Sequence, residues 1–195
     1  MGLICVSGSR NIGHHLIKIN MKKQVLIFGC IILGILGCKE IDKLTKFNMR
    51  FNETIIIPSS TGINLPFNIL TPDLETNSAS TFAINNTRKD LVQEIKLTKL
   101  DLSVTSPANA DFSFLKSISV FISADGLSET KIAWKDNVPS DAGTILSLEV
   151  TGVDLKEYIK KDKFTLRLNT VTDELLTSDY HIDATSVFFV NAKVF

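Results

Sequence analysis

The chain has 195 residues, 44% of them hydrophobic and 22% charged, with 21 basic residues set against 21 acidic ones. Four of the basic residues (Arg10, Lys18, Lys22 and Lys23) and none of the acidic ones precede Cys38, so residues 38–195 carry a net charge of −4. That argues against a binder of nucleic-acid phosphates, which needs a basic patch, and the length suits one domain that buries about 70% of its unfolded surface without staples.

Residues 1–20, MGLICVSGSRNIGHHLIKIN, form a long polar lead. Met21 then opens MKKQVLIFGC, which reads as the start of a signal peptide by itself. Met21 is therefore expected to be the true start and residues 1–20 a misread extension; the His14–His15 pair, which could otherwise ligate a metal, falls with it. Lys22 and Lys23 supply a positive entry, and Val25 to Leu36 is free of charge. As a helix that run is only about 18 Å long, against a hydrocarbon core of about 30 Å, so it fits a signal segment over 21–37 better than a span. It closes on small Gly37 and then Cys38.

The stretch Ile35–Cys38, ILGC, resembles a bacterial lipobox, with Leu36 bulkier than the Ala, Ser or Thr usual at its place. The resemblance implies cleavage between Gly37 and Cys38, a diacylglyceryl group on the Cys38 thiol, and acylation, such as palmitate, on its new amine. CKEIDK, Cys38 to Lys43, is similar to export signals that place lipoproteins of Bacteroidetes-type bacteria on the outer cell surface. With Cys5 and Cys30 ahead of the cut and Cys38 acylated, no thiol chemistry is expected of the working protein. The charged stretch to Glu53 reads as a tether, giving a lipidated linker over 38–53 and a folded domain over 54–195.

Strand signals dominate that domain. TIIIP (54–58) is a β-branched run. In INLPFNILTP (63–72), Ile63, Leu65, Phe67 and Ile69 alternate, and Pro66 marks an edge strand. ETNSASTFAINNTRK (75–89) is turn-rich, a loop with at most a short strand around Phe82 and Ile84. In EIKLTKLDLSVTSP (94–107) the apolar phase flips at Thr98–Lys99, which predicts one long strand with a β-bulge there. FSFLKSISVFIS (112–123) points Ile118, Val120 and Ile122 inward, and Asp125–Gly126 turns it into TKIAWKD as a hairpin. ILSLEVTG groups Leu146, Leu148 and Val150. VDLKEYIKKDK (153–163) reads as a helix of about two turns, with Asp154 as its cap, plugging one end of the sheet pair. Phe164, Leu166 and Leu168 then alternate, and SVFFV in the last strand is apolar on both faces, as in a central, sandwiched strand.

These elements predict an all-β fold, an antiparallel Greek-key β-sandwich of about eight or nine strands with one short helix. A closed barrel ending at Phe195 is the alternative architecture. The layout, from TRKDLVQEIKLTKLDLSV through DLKEYIKKDKFTLRL to FFVNAKVF, resembles small lipoproteins of Bacteroidetes-type bacteria, which implies fold and location but no catalytic residues.

Asp179, His181 and Asp183 alternate in DYHID, so a strand puts them on one face as a candidate metal set or a solvated strand start. The chain holds no Gly-x-Ser-x-Gly elbow, and with His181 as the only imidazole after Cys38 a catalytic triad has little to build on. Asp125–Gly126 and DNVPSDAGT (136–144) offer oxygen ligands for Ca²⁺, though turn chemistry alone explains them. Trp134, the sole Trp, is either core, on the side of Ile132, or a sugar-stacking surface. The reading is thus a non-catalytic, cofactor-free binding or structural domain, anchored by lipid to the outer membrane, with a protein or glycan partner and no nucleic acid. Its alternative is a carbohydrate-binding module of a surface glycan-utilisation system.

Overall fold

The computed structural model describes residues 46–60 and 62–194. The expected extension 1–20, the expected signal segment 21–37, the expected cut between Gly37 and Cys38, the expected lipidation of Cys38, and Phe195 all fall outside the described residues.

Among the described residues, ten strands form two antiparallel sheets. β1 (Lys46–Ile57), β10 (Tyr180–Ala192), β4 (Val92–Ser106) and β7 (Ile145–Ser147) make a four-stranded sheet in the order β1-β10-β4-β7. β2 (Phe67–Leu70), β9 (Lys163–Thr172), β5 (Leu115–Ala124), β6 (Leu127–Lys135) and β8 (Glu149–Val150) make the second in the order β2-β9-β5-β6-β8, and β3 (Leu74–Glu75) adds a sixth strand on β9. The last strand pairs along its whole length with the first, Lys46 with Asn191 through Ile57 with Tyr180. The expected sandwich is the observed fold. The two-residue strands β3 and β8 are too short to show a period, so the count exceeds the eight or nine expected. Among the described residues both sheets keep open edges, β1 and β7 in one, β2 and β8 in the other, so these strands close no barrel.

The inner faces meet in one core. Phe51 of β1 lies edge-on to Phe164 of β9 (5.3 Å) and to Phe188 of β10 (5.5 Å), so aromatic rings join the sheets. Ile118, Val120 and Ile122 are buried from β5, and Phe164, Leu166 and Leu168 from β9. The β4 bulge falls where the phase flips: Val187 pairs with Lys99 and Phe188 with Leu97, leaving Thr98 extra, its hydroxyl donating to the Val187 carbonyl at 3.0 Å. Ile95, Leu97, Leu100 and Leu102 all reach the core in consequence. The β5–β6 hairpin turns at Asp125–Gly126, where Gly126 takes φ +72°. Leu148 carries the chain from β7 in one sheet to β8 in the other, its N–H bonded to the Leu100 carbonyl at 2.9 Å.

Four expectations are corrected. Residues 46–53 are not tether but the first two-thirds of β1. Their charges hide a strand period, with Phe47, Met49 and Phe51 turned to the core and Asn48, Arg50 and Asn52 opposite. The loop around Phe82 and Ile84 holds α1 (Ser78–Ile84). In a strand those two side chains would share a face; on a helix they point apart, and Phe82 is fully buried while Ile84 is 81% exposed. The second helix, α2 (Lys156–Ile159), has one turn rather than two, because pairing in β9 begins at Lys163. Its Leu155 and Ile159 are buried at the end of the sandwich. Finally, Ile63 and Leu65 lie outside β2 and are exposed, although β2 is an edge strand.

Candidate ligand-binding face

A second bulge decides where Trp134 points. Val120 pairs with Ala133 but Phe121 pairs with Lys131, so Ile132 is the extra residue. Ile132 and Ala133 are then both fully buried, and Trp134 turns to the opposite, outer face. The core placement beside Ile132 is corrected: Trp134 is half-buried on the outside of the six-stranded sheet.

Pairing assembles two rows across that face. One runs Asn68, Asn169, Ser119, Trp134, Glu149; the next runs Leu70, Arg167, Phe121, Lys131. The Lys131 ammonium stands 5.3 Å over the Trp134 ring, and the Arg167 guanidinium stands 4.3 Å over Phe121. Arg167 is fixed on two further sides. Glu129 accepts from its Nε and Nη2 at 2.7 and 2.6 Å, and Asn68 Oδ1 accepts from its Nη1 at 2.6 Å. Asn169 donates to the same Asn68 oxygen at 3.0 Å. Hydrogen bonding from Arg167 holds the Glu129 carboxyl below its usual range, and Glu129 raises Arg167 in return. The result is an outer surface of two aromatic rings beside planar amide, guanidinium and carboxylate groups held by hydrogen bonds.

DYHID lies on the other sheet. His181 and Asp183 share its outer face, opposite Ile56 and Thr54, but the three side chains do not assemble. Asp179 precedes β10 and accepts from the Ser59 N–H at 2.8 Å, which lowers its pKa, and Asp183 accepts from the Thr54 hydroxyl at 2.7 Å. Among the described residues, no three His, Cys, Asp or Glu side chains gather as a metal set. Asp125–Gly126 is the hairpin turn itself. The 136–144 loop is tied by backbone bonds, Val138 N–H to the Lys116 carbonyl and Phe112 N–H to the Gly143 carbonyl, both at 3.1 Å. Four surface depressions hold about 230 to 380 Å³ each and are open to solvent.

Sequence reasoning singled out Trp134 but missed Phe121, Arg167, Asn68, Asn169 and Glu129. A signal existed for three of them: Phe121 lies between inward Val120 and Ile122, and Arg167 and Asn169 flank inward Leu168.

No protein-family model matches the chain, and no curated protein matches it. Among solved structures, a carbohydrate-binding module from Clostridium perfringens, in complex with GalNAc-β-1,3-galactose, aligns with 74% of this chain and 97% of its own at 11% identity and TM-score 0.34. The decameric BFDV capsid protein aligns with 75% and 99% at 8% identity and TM-score 0.36, and that of turnip yellow mosaic virus with 76% and 96% at 10% and 0.26. Similarity at this level says nothing of the ligand, which has to be argued from the surface itself.

Proposed function

We propose that this chain is a lipoprotein of the bacterial cell envelope, anchored to the outer membrane through Cys38, whose β-sandwich binds a glycan without catalysis. The observation that supports binding is the row through Trp134. A half-exposed indole beside Phe121 offers apolar faces to the C–H side of a sugar ring. Asn68, Asn169, Arg167 and Glu129 supply planar donors and acceptors on the same face. Lys131 covers Trp134 in the free protein and would swing aside, its cation–π contact exchanged for stacking. The anchor rests on the lipobox. Several acyl chains on one cysteine make attachment stable where a single chain is marginal.

The sole Trp makes the binding test direct. Titration with oligosaccharides should shift Trp134 emission with a saturable profile; emission indifferent to every glycan tried would remove the proposal's support. For the anchor, labelled palmitate should appear in the wild-type chain and vanish in Cys38→Ser, and label that persists would place the lipid elsewhere.

A further inference from the structure

β1 begins at Lys46, eight residues after Cys38. Eight residues reach at most about 28 Å when fully extended, whereas β1, with 12 residues, runs roughly 40 Å. The two ends of the sandwich are therefore unequal with respect to a lipid on Cys38.

The near end is the helix end. Lys46 pairs there with Asn191, α1 docks by Phe82 on Phe47 (6.1 Å between rings), and the Thr87 hydroxyl donates to the Lys193 carbonyl at 2.7 Å. Ile84 at 81% and Val194 at 38% expose apolar surface to water, with Lys46, Arg88 and Lys193 exposed around them. Arg88 pairs with Asp90 on the surface at 2.9 Å. The far end is built from the β1–β2, β4–β5, β6–β7 and β9–β10 connections. These also expose Leu65 and Leu175, but they hold six acidic residues, Asp111, Asp136, Asp141, Asp173, Glu174 and Asp179, and no Lys or Arg, so charge is what separates the two ends.

We infer that the helix end is a membrane-contacting surface, seated on anionic headgroups by Ile84, Val194, Lys46, Arg88 and Lys193, so that the acidic loop end points away from the bilayer. The inference rests on lipidation of Cys38. Three observations converge on it. The short reach from Cys38 ends at this side. Exposed aliphatic groups on an end that also carries Lys46, Arg88 and Lys193, with Asp90 paired to Arg88, suit the headgroup layer. The opposite end carries only negative charge in its loops, which an anionic surface repels. Seated in this way, the sheet faces stand clear of the bilayer, and the Trp134 row stays open to a ligand.

The test uses the full chain, purified with its lipid and reconstituted into phosphatidylethanolamine–phosphatidylglycerol vesicles that carry a nitroxide on the headgroup. A fluorophore is placed at the helix end in Ala83→Cys and at the loop end in Ser140→Cys. Quenching at position 83 is expected to exceed that at position 140 at least threefold, and Ile84→Glu with Arg88→Glu should reduce it at least twofold. Equal quenching, or stronger quenching at 140, with lipid present on Cys38 by intact mass, overturns the orientation alone. Absence of lipid on Cys38 overturns both the anchor and the orientation that depends on it.

Discussion

Across the four-stranded sheet one outward row runs Asn52, Thr185, Asp101, Ser147; across the six-stranded sheet the corresponding row runs Asn68, Asn169, Ser119, Trp134, Glu149. The first is closed on itself. Thr185 donates to Asn52 and Ser147 to Asp101, both at 2.9 Å, and Lys99 pairs with Asp101 at 2.5 Å. Its side chains bond to one another and include no aromatic ring. The second row carries an indole, and in the row beside it Phe121 lies under Arg167. The inner faces obey the same demand, apolar residues at every second position, and differ little in kind. Outward positions escape that demand, and only there do the two sheets diverge. The bulge at Ile132 makes the divergence possible, because without it Trp134 would share a face with Ile132 in the core.

The largest expected effect lies where the sheets do not differ. Phe188→Ala removes a fully buried ring that bridges Phe51 and, at 6.2 Å, Phe164. It should cost about 3–5 kcal/mol, read as one cooperative denaturant transition shifted for the whole domain; a loss below about 1 kcal/mol would mean that the sheets do not share this core. Trp134→Ala should then separate the two outer faces. Glycan affinity falls at least about tenfold, equivalent to about 1.4 kcal/mol, while the fold persists, and Asp183→Ala on the other sheet leaves affinity unchanged.

Asp154 ties the two layers together at the helix end, accepting from the N–H groups of Ile95 in β4 and Lys156 in α2, both at 3.1 Å. Burial pushes its carboxyl up, but these bonds and the Lys156 ammonium outweigh it and leave the pKa lowered. Asp154→Ala should cost about 1–2 kcal/mol with ligand affinity intact, as thermal unfolding and titration together would show. Glu129 gives the smallest effect. Its carboxyl is lowered by Arg167, so the pair stabilises the fold above the unfolded-state pKa and loses that contribution as pH falls through the lower folded value. Both side chains are partly exposed, which limits the pair to about 0.2–1 kcal/mol. Urea midpoints of the wild type and Glu129→Gln should differ at pH 7 and converge in acid, and a gap that widened in acid would contradict the assignment.

Much of the scaffold was legible in the residues. The phase flip in EIKLTKLDLSV located the Thr98 bulge, Asp125–Gly126 located the hairpin, and SVFFV located a central strand. That strand is not covered by a second layer on its outer side, however. Val187 lies in register between Arg50 and Lys99, whose long side chains flank it. β1 was hidden because Lys46, Arg50 and Glu53 made an alternating strand look like a solvated linker. The ligand face was the least legible part. Arg167 and Glu129 are 38 residues apart and Arg167 and Asn68 are 99 apart, and only strand register brings them together. The side on which Trp134 emerges depends on one extra residue, Ile132, in a run whose apolar pattern is equally good without a bulge.

A glycan array probed in parallel with the wild type, Trp134→Ala and Asp183→Ala bears on the proposed function without intermediaries. The six-stranded face as ligand surface predicts a defined set of glycans bound by the wild type, the same set bound by Asp183→Ala, and none by Trp134→Ala. Glycan binding that survives in Trp134→Ala, or no binding by the wild type to any glycan, would contradict it.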